Sequence, residues 1–143
     1  MHHETRYLFV YGTLRRVSSH PMAQRLAEHA RFAGAARAQG RLYDLGRYPG
    51  MTAAHGPDEW VHGDLYDLAG AAATLAELDA YEAIESPQPA FFERQAAAVT
   101  SDEGRPVQAW LYWWRGPVSE AQRIPSGDYF AREQAAKSLP PVC

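Results

Sequence analysis

A chain of 143 residues, 46% hydrophobic and 22% charged, carries enough apolar material for a packed core and lies outside the composition range of disordered chains. Its net charge of −3 with scattered basic residues argues against a nucleic-acid partner, and its apolar runs are too short to cross a bilayer as helices. The single cysteine, Cys143, excludes an intrachain disulfide and a cysteine-based metal site.

The first residues, Met1 to Arg6, have no apolar stretch of the kind that opens a signal peptide, so the expectation is a cytoplasmic protein with one domain over residues 1–143. Tyr7-Leu8-Phe9-Val10-Tyr11 then reads as a strand, with Tyr7, Phe9 and Tyr11 on one face and Leu8 and Val10 on the other. It breaks at Gly12, the residue here free to take positive φ and to let the backbone approach a ligand. The backbone N–H groups of Gly12, Thr13 and Leu14 then have no strand partner. A small anionic group such as a carboxylate would satisfy them; an ordinary turn is the alternative.

Residues 20–31 read as a short helix, with Met22, Leu26 and His29 or Ala30 spaced at i, i+4, i+7. Residues 34–45 read as one strand with a wet face bearing Arg37, Gln39 and Arg41. Gly46 to Gly56 reads as a loop with a turn at Tyr48-Pro49-Gly50-Met51. Residues 60–68 read as a strand with Val61, Gly63 and Leu65 on one face, and Trp60, His62, Asp64 and Tyr66 on the other. The Ala- and Leu-rich stretch 70–83 predicts a helix, stopped by Pro87 and Pro89. Residues 91–101 and 107–114 predict a hairpin turning at Asp102-Glu103-Gly104-Arg105. A short helix to about Lys137 ends the chain, with Asp128 supporting its first turn. Five or six strands with two or three helices make an α+β domain, a curled sheet or a small barrel.

Within the 70–83 helix, Leu75, Leu78 and Glu82 stand at i, i+3, i+7, which puts a carboxylate on the stripe that should face the core. It also falls in the last turn, where the helix dipole disfavours negative charge. Burial and dipole together would raise its pKa toward a value useful for proton transfer; the alternative is a frayed helix end with Glu82 in water. The six histidines lack metal-ligand spacing, and Ser18 and Ser19 lack a nucleophile elbow. Trp110, Trp113 and Trp114 read as core or strand-edge residues, and His62 as a surface or hydrogen-bonded one.

Several motifs, in order, resemble the gamma-glutamylcyclotransferase-like family, particularly its gamma-glutamylamine cyclotransferase and avirulence-induced branches. They are Val10-Tyr11-Gly12-Thr13-Leu14, Tyr48-Pro49-Gly50, Val61-His62-Gly63-Asp64-Leu65-Tyr66, Leu78-Asp79-Ala80-Tyr81-Glu82, Phe92-Glu93-Arg94, Ala109-Trp110-Leu111-Tyr112 and Ile124-Pro125-Ser126-Gly127-Asp128-Tyr129. The resemblance implies an α+β fold, a small mixed β-barrel with flanking helices. Its cavity would lie between the Tyr-Gly-Thr-Leu loop and the family's glutamate, which falls on Glu82. The implied reaction is intramolecular: the α-amine of a γ-glutamyl group attacks its own γ-carbonyl, 5-oxoproline forms, and an amine or amino acid leaves. Glu82 would be the general acid–base. The backbone of Gly12, Thr13 and Leu14 would bind the substrate, and Tyr11 would form a cavity wall. The partner implied is a small-molecule γ-glutamyl substrate, with no metal or organic cofactor required and no nucleic acid or membrane involved. A non-catalytic binding domain on the same fold is the alternative. The chain departs from the family at Phe92, where Tyr is usual, and at Ala83, where Gly often follows the glutamate.

Overall fold

The computed structural model describes residues 6–12, 21–45, 49–68 and 92–129. Seven strands run through them: β1 (Tyr7–Val10), β2 (Arg31–Gln39), β3 (Arg41–Asp44), β4 (Pro49–Thr52), β5 (Trp60–Asp67), β6 (Phe92–Ser101) and β7 (Pro106–Trp114). One helix, α1 (Pro21–His29), follows β1, and a 3-10 turn covers Glu120–Gln122. The strand order is β1-β5-β2-β6-β7-β4-β3, and β1 also pairs with β7. That last pairing closes β1, β5, β2, β6 and β7 into a five-stranded barrel, leaving β4 and β3 as an extension from β7. Closure removes the free edges of the five strands. The sheet is mixed: β1–β7 and β4–β7 are parallel and the other pairs antiparallel.

Alternation along each strand sorts the side chains into two packed groups. Phe9, Ala36, Ala38, Val61, Leu65, Val99, Ala109 and Leu111 belong to one group. The small residues of β2 and β7 among them suit the narrow interior of a five-stranded ring. Leu8 and Val10, from the other face of β1, join Tyr66, Leu68 and Tyr112 beneath Leu26 of α1. The two faces expected for β1 are therefore the two faces found. Arg6 forks onto buried Asp67 at 2.9 and 2.6 Å and ties the start of β1 to the end of β5.

Three readings need correction. The single strand expected over 34–45 is two strands, β2 and β3, and β2 begins earlier, at Arg31. The break falls at Gly40, whose N–H is taken by the Glu59 carbonyl at 3.0 Å, so the chain leaves β5 there and turns to pair with β4. The loop expected over 46–56 contains β4. Pro49 opens that strand, where a missing N–H is tolerated, so the Pro-Gly pair marks a strand start and not a turn. The helix expected over 20–31 spans Pro21–His29, with proline at the first helical position. The hairpin is as expected: the Ser101 N–H bonds the Arg105 carbonyl at 2.8 Å and the Gly104 N–H bonds the Ser101 carbonyl at 2.9 Å. The 70–83 helix and the terminal helix lie outside the described residues, so of the flanking helices expected, the described residues hold α1 and one 3-10 turn.

After the 3-10 turn the chain returns across the barrel. The Ile124 N–H bonds the Leu42 carbonyl at 2.8 Å, and the Gly127 carbonyl accepts the His62 N–H at 2.7 Å. Gly127 takes φ +70°, and a Cβ there would stand 1.8 Å from the Trp60 carbonyl oxygen, so only glycine fits. Ile124 and Tyr129 then pack into the same group as Phe9 and Leu65.

Candidate functional site

The bend after β1 sits where three strands meet. Tyr11 is buried, and its hydroxyl donates to the Tyr112 carbonyl of β7 at 2.6 Å while accepting the Met51 N–H of β4 at 3.2 Å. A phenol has one proton to donate, so that proton is committed inside the sheet. The ring stands as a wall of the barrel interior, and the hydroxyl is a brace between β1, β4 and β7.

Gly12 follows directly. It does not take positive φ; among the described glycines that conformation belongs to Gly34, Gly104 and Gly127. The reason for glycine is close approach. A Cβ at position 12 would stand 2.5 Å from Cγ and 2.7 Å from Cδ of Pro49, a separation real side chains do not reach. The sequence reading of Gly12 expected positive φ and close approach to a ligand; the φ is not positive. The approaching group is the proline ring that opens β4.

Of the five residues singled out from sequence, Tyr11 and Gly12 fall within the described residues; Thr13, Leu14 and Glu82 lie outside them. The structure brings Tyr11 and Gly12 to Pro49, Met51 and Tyr112, which had been given no role. Pro49 and Tyr112 fall in two of the motifs that carry the family resemblance, and Met51 directly follows the Tyr48-Pro49-Gly50 motif, so a signal for them was present without a reason. Asp64, in the Val-His-Gly-Asp motif, is buried and in register with Val10 at the same end of β1.

Other singled-out residues hold positions in the walls. Phe92 packs edge-on against Trp114, ring centres 5.1 Å apart, and the Trp114 indole N–H donates to the Pro117 carbonyl at 3.2 Å. Trp110 lies under the Arg94 guanidinium at 4.3 Å and Trp113 under that of Arg115 at 5.7 Å. The Asp128 N–H donates to the Ser126 hydroxyl at 3.3 Å, so in the Pro-Ser-Gly-Asp turn the serine side chain is the acceptor.

A separate charged cluster organises the β3–β4 extension. The Glu59 carboxylate accepts Arg41 Nε and Arg123 Nη2, each at 2.8 Å, with the backbone N–H groups of His55 at 2.6 Å and Gly56 at 3.3 Å. The His55 N–H is the largest influence holding this carboxyl below its ordinary value; burial pulls the other way, and Arg41 and Arg123 add to the lowering. All its partners are structural: the β4–β5 loop, a strand and the returning tail.

The closed mixed barrel is shared with solved structures of the gamma-glutamyl cyclotransferase-like class of folds. An AIG2-like protein of Mus musculus superimposes with a TM-score of 0.73 over 98% of both chains at 23% identity. YkqA of Bacillus subtilis superimposes with a TM-score of 0.72 over 96% of this chain and 44% of its own, at 24% identity. In sequence, the gamma-glutamylcyclotransferase family protein YtfP of Escherichia coli (strain K12) is 34% identical over 131 residues, covering 89% of this chain and 98% of that protein. The family model described as gamma-glutamyl cyclotransferase, AIG2-like matches residues 8–131. The chain belongs to the gamma-glutamyl cyclotransferase, AIG2-like family.

Proposed function

We propose that the protein is a cyclotransferase that converts a γ-glutamyl group to 5-oxoproline and releases an amine or amino acid. The observation that carries this reading is the family match over residues 8–131, which takes in both Tyr11-Gly12-Thr13-Leu14 and Glu82. The chemistry needs few protein groups because nucleophile and electrophile belong to one substrate, and proximity comes from folding that substrate back on itself. The α-ammonium must lose a proton to attack, and the leaving nitrogen must gain one. Glu82 does both. The backbone N–H groups of Gly12, Thr13 and Leu14 hold the substrate carboxylate or polarise the γ-carbonyl. The support for the bend as the binding end is its packing: Gly12 lies against Pro49, and the hydroxyl of the residue before it is hydrogen-bonded to β4 and β7.

The test is a panel of γ-glutamyl amines and γ-glutamyl peptides assayed for 5-oxoproline. Turnover by the native protein is expected, with a loss of about 10²–10⁴-fold in Glu82→Gln while substrate binding persists. Full turnover in Glu82→Gln would remove the assigned base. Saturable binding with no product from any panel member would make the protein a binding domain on this fold.

A further inference from the structure

A carboxylate that the proposed reaction leaves unused stands within β5. Asp64 is 5% exposed, although it carries a charge. Its cross-strand neighbours are Val10 of β1 and Ala35 of β2, whose side chains offer neither a hydrogen bond nor a charge. Alternation fixes the face it occupies. A Cβ on Gly63 would stand 2.9 Å from the Phe9 ring, and Leu65 packs in the Phe9 group. The residue between them therefore points to the other face, where Val10 and Tyr66 pack. The β1–β5 ladder ends at this rung: Val10 opposite Asp64 is its last register pair. Two residues away along β5, the His62 N–H goes to the Gly127 carbonyl of the returning tail at 2.7 Å. Asp64 thus sits where β1 ends and the chain turns into the Gly12 bend.

Taking an ionised carboxylate out of water is costly unless cations or N–H donors surround it, and one so placed attracts a cation strongly. Its oxygens accept about four hydrogen bonds, so a ligand cation can join the partner the folded chain already gives it. Gly12 lies two residues past Val10, roughly 7 Å along an extended chain. A γ-glutamyl group has its α-carboxylate and α-ammonium on one carbon. Hydrogen bonds of ~2.8 Å on either side of that unit span such an interval. We propose that Asp64 receives the α-ammonium of the bound γ-glutamyl group while the backbone N–H groups from Gly12 onward hold its α-carboxylate. The inference rests on the cyclotransferase reading and adds the residue that orients the nucleophile. Glu82 takes one proton from the ammonium, the freed lone pair forms the bond to the γ-carbon, and a second proton leaves the new ring nitrogen. Both protons end on the departing amine as its C–N bond breaks. The products are 5-oxoproline and an alkylammonium, and Asp64 stays ionised throughout.

The experiment compares two probes by calorimetric titration: L-γ-glutamyl-n-butylamide, and glutaric acid mono-n-butylamide, which differs from it in lacking the ammonium. Glu82→Gln is the background, because it spares the first probe from turnover and removes the other carboxylate. In that background the γ-glutamyl probe is expected to bind at least about tenfold more tightly than the glutaric one. Adding Asp64→Asn is expected to erase the difference and to leave the glutaric probe bound no more weakly, which also verifies that fold and site are retained. Equal binding of the two probes before Asp64 is changed, or a preference that survives Asp64→Asn, would overturn the proposal. The first of these outcomes needs no substitution at Asp64, so it decides the matter even where that variant fails to fold. Release of 5-oxoproline by the native protein would leave the cyclotransferase reading standing in either case. Absence of product together with no binding of either probe would remove both.

Discussion

A single hydroxyl does much to hold the bend in place. β4 joins β7 through one register position, Met51 opposite Trp113, so the Met51 N–H on the Tyr11 hydroxyl is a second anchor for that short strand. Tyr11→Phe keeps the ring and removes the brace, leaving the Met51 N–H and the Tyr112 carbonyl short of a partner in the interior. Stranding buried polar groups costs about 1–3 kcal/mol each. The expected result is a lower melting temperature together with faster hydrogen exchange at the Met51 amide, while the amides of the β2–β5 ladder keep their protection. Native exchange at Met51 in Tyr11→Phe would mean that the β4–β7 pair suffices and the hydroxyl is incidental. The importance of this side chain was half legible beforehand. The alternation of Tyr7, Phe9 and Tyr11 put it on the interior face, but no local pattern tells where a phenol hydroxyl will find its partners, because Met51 and Tyr112 are 40 and 101 residues away.

At the scale of elements, α1 is a short amphipathic helix whose place is set by what β1 leaves exposed. Leu8 and Val10 point away from the Phe9 side, and Leu26 of α1 packs with them; Leu26 is fully buried among Leu8, Val10 and Tyr66. Leu26→Ala is expected to destabilise the protein by about 2–5 kcal/mol, the transfer loss plus a cavity that rigid neighbouring strands cannot collapse. Denaturant unfolding measures it, and a change below about 1 kcal/mol would mean that α1 contributes little to the fold. Strands with strong alternation, β1, β5 and the β6–β7 hairpin, were readable because their period is local. The split of β2 from β3 and the existence of β4 were not. Both depend on partners remote in sequence: Gly40 is held by Glu59, and the four residues of β4 become a strand because β3 and β7 flank them. The barrel's closure was likewise invisible to periodicity, since the parallel β1–β7 pairing joins residues about a hundred positions apart. The end of β1 at Gly12 was legible as a break in the strand, whereas the Pro49 ring that packs on it was hidden by its own turn-like signature.

For the molecule as a whole, the barrel is a ring, and its extension and tail must be tied to it separately. Glu59 is the knot. It stands just before β5 and gathers Arg41 from β3, Arg123 from the returning tail and the His55 loop, while Arg41 also reaches Glu120 of the 3-10 turn at 3.0 Å. Because the folded chain holds the Glu59 carboxyl below its ordinary value of 4.5, the folded state binds this proton more weakly than the unfolded chain does. Stability from this group is therefore complete above that ordinary value and is lost as pH falls below it, through the folded-state value. Glu59→Gln retains one acceptor oxygen and discards the charge. At neutral pH the variant is expected to melt several degrees below the native protein, with the deficit appearing as early loss of the β3–β4 extension. As the solution is acidified below about pH 4.5 the native protein surrenders the same interaction by protonation, and the two melting curves converge. Melting temperatures of both proteins measured from neutral to acid pH decide the matter: a gap that stays constant across that span would show that the cluster acts through shape and hydrogen bonding alone, with the carboxylate charge playing no part.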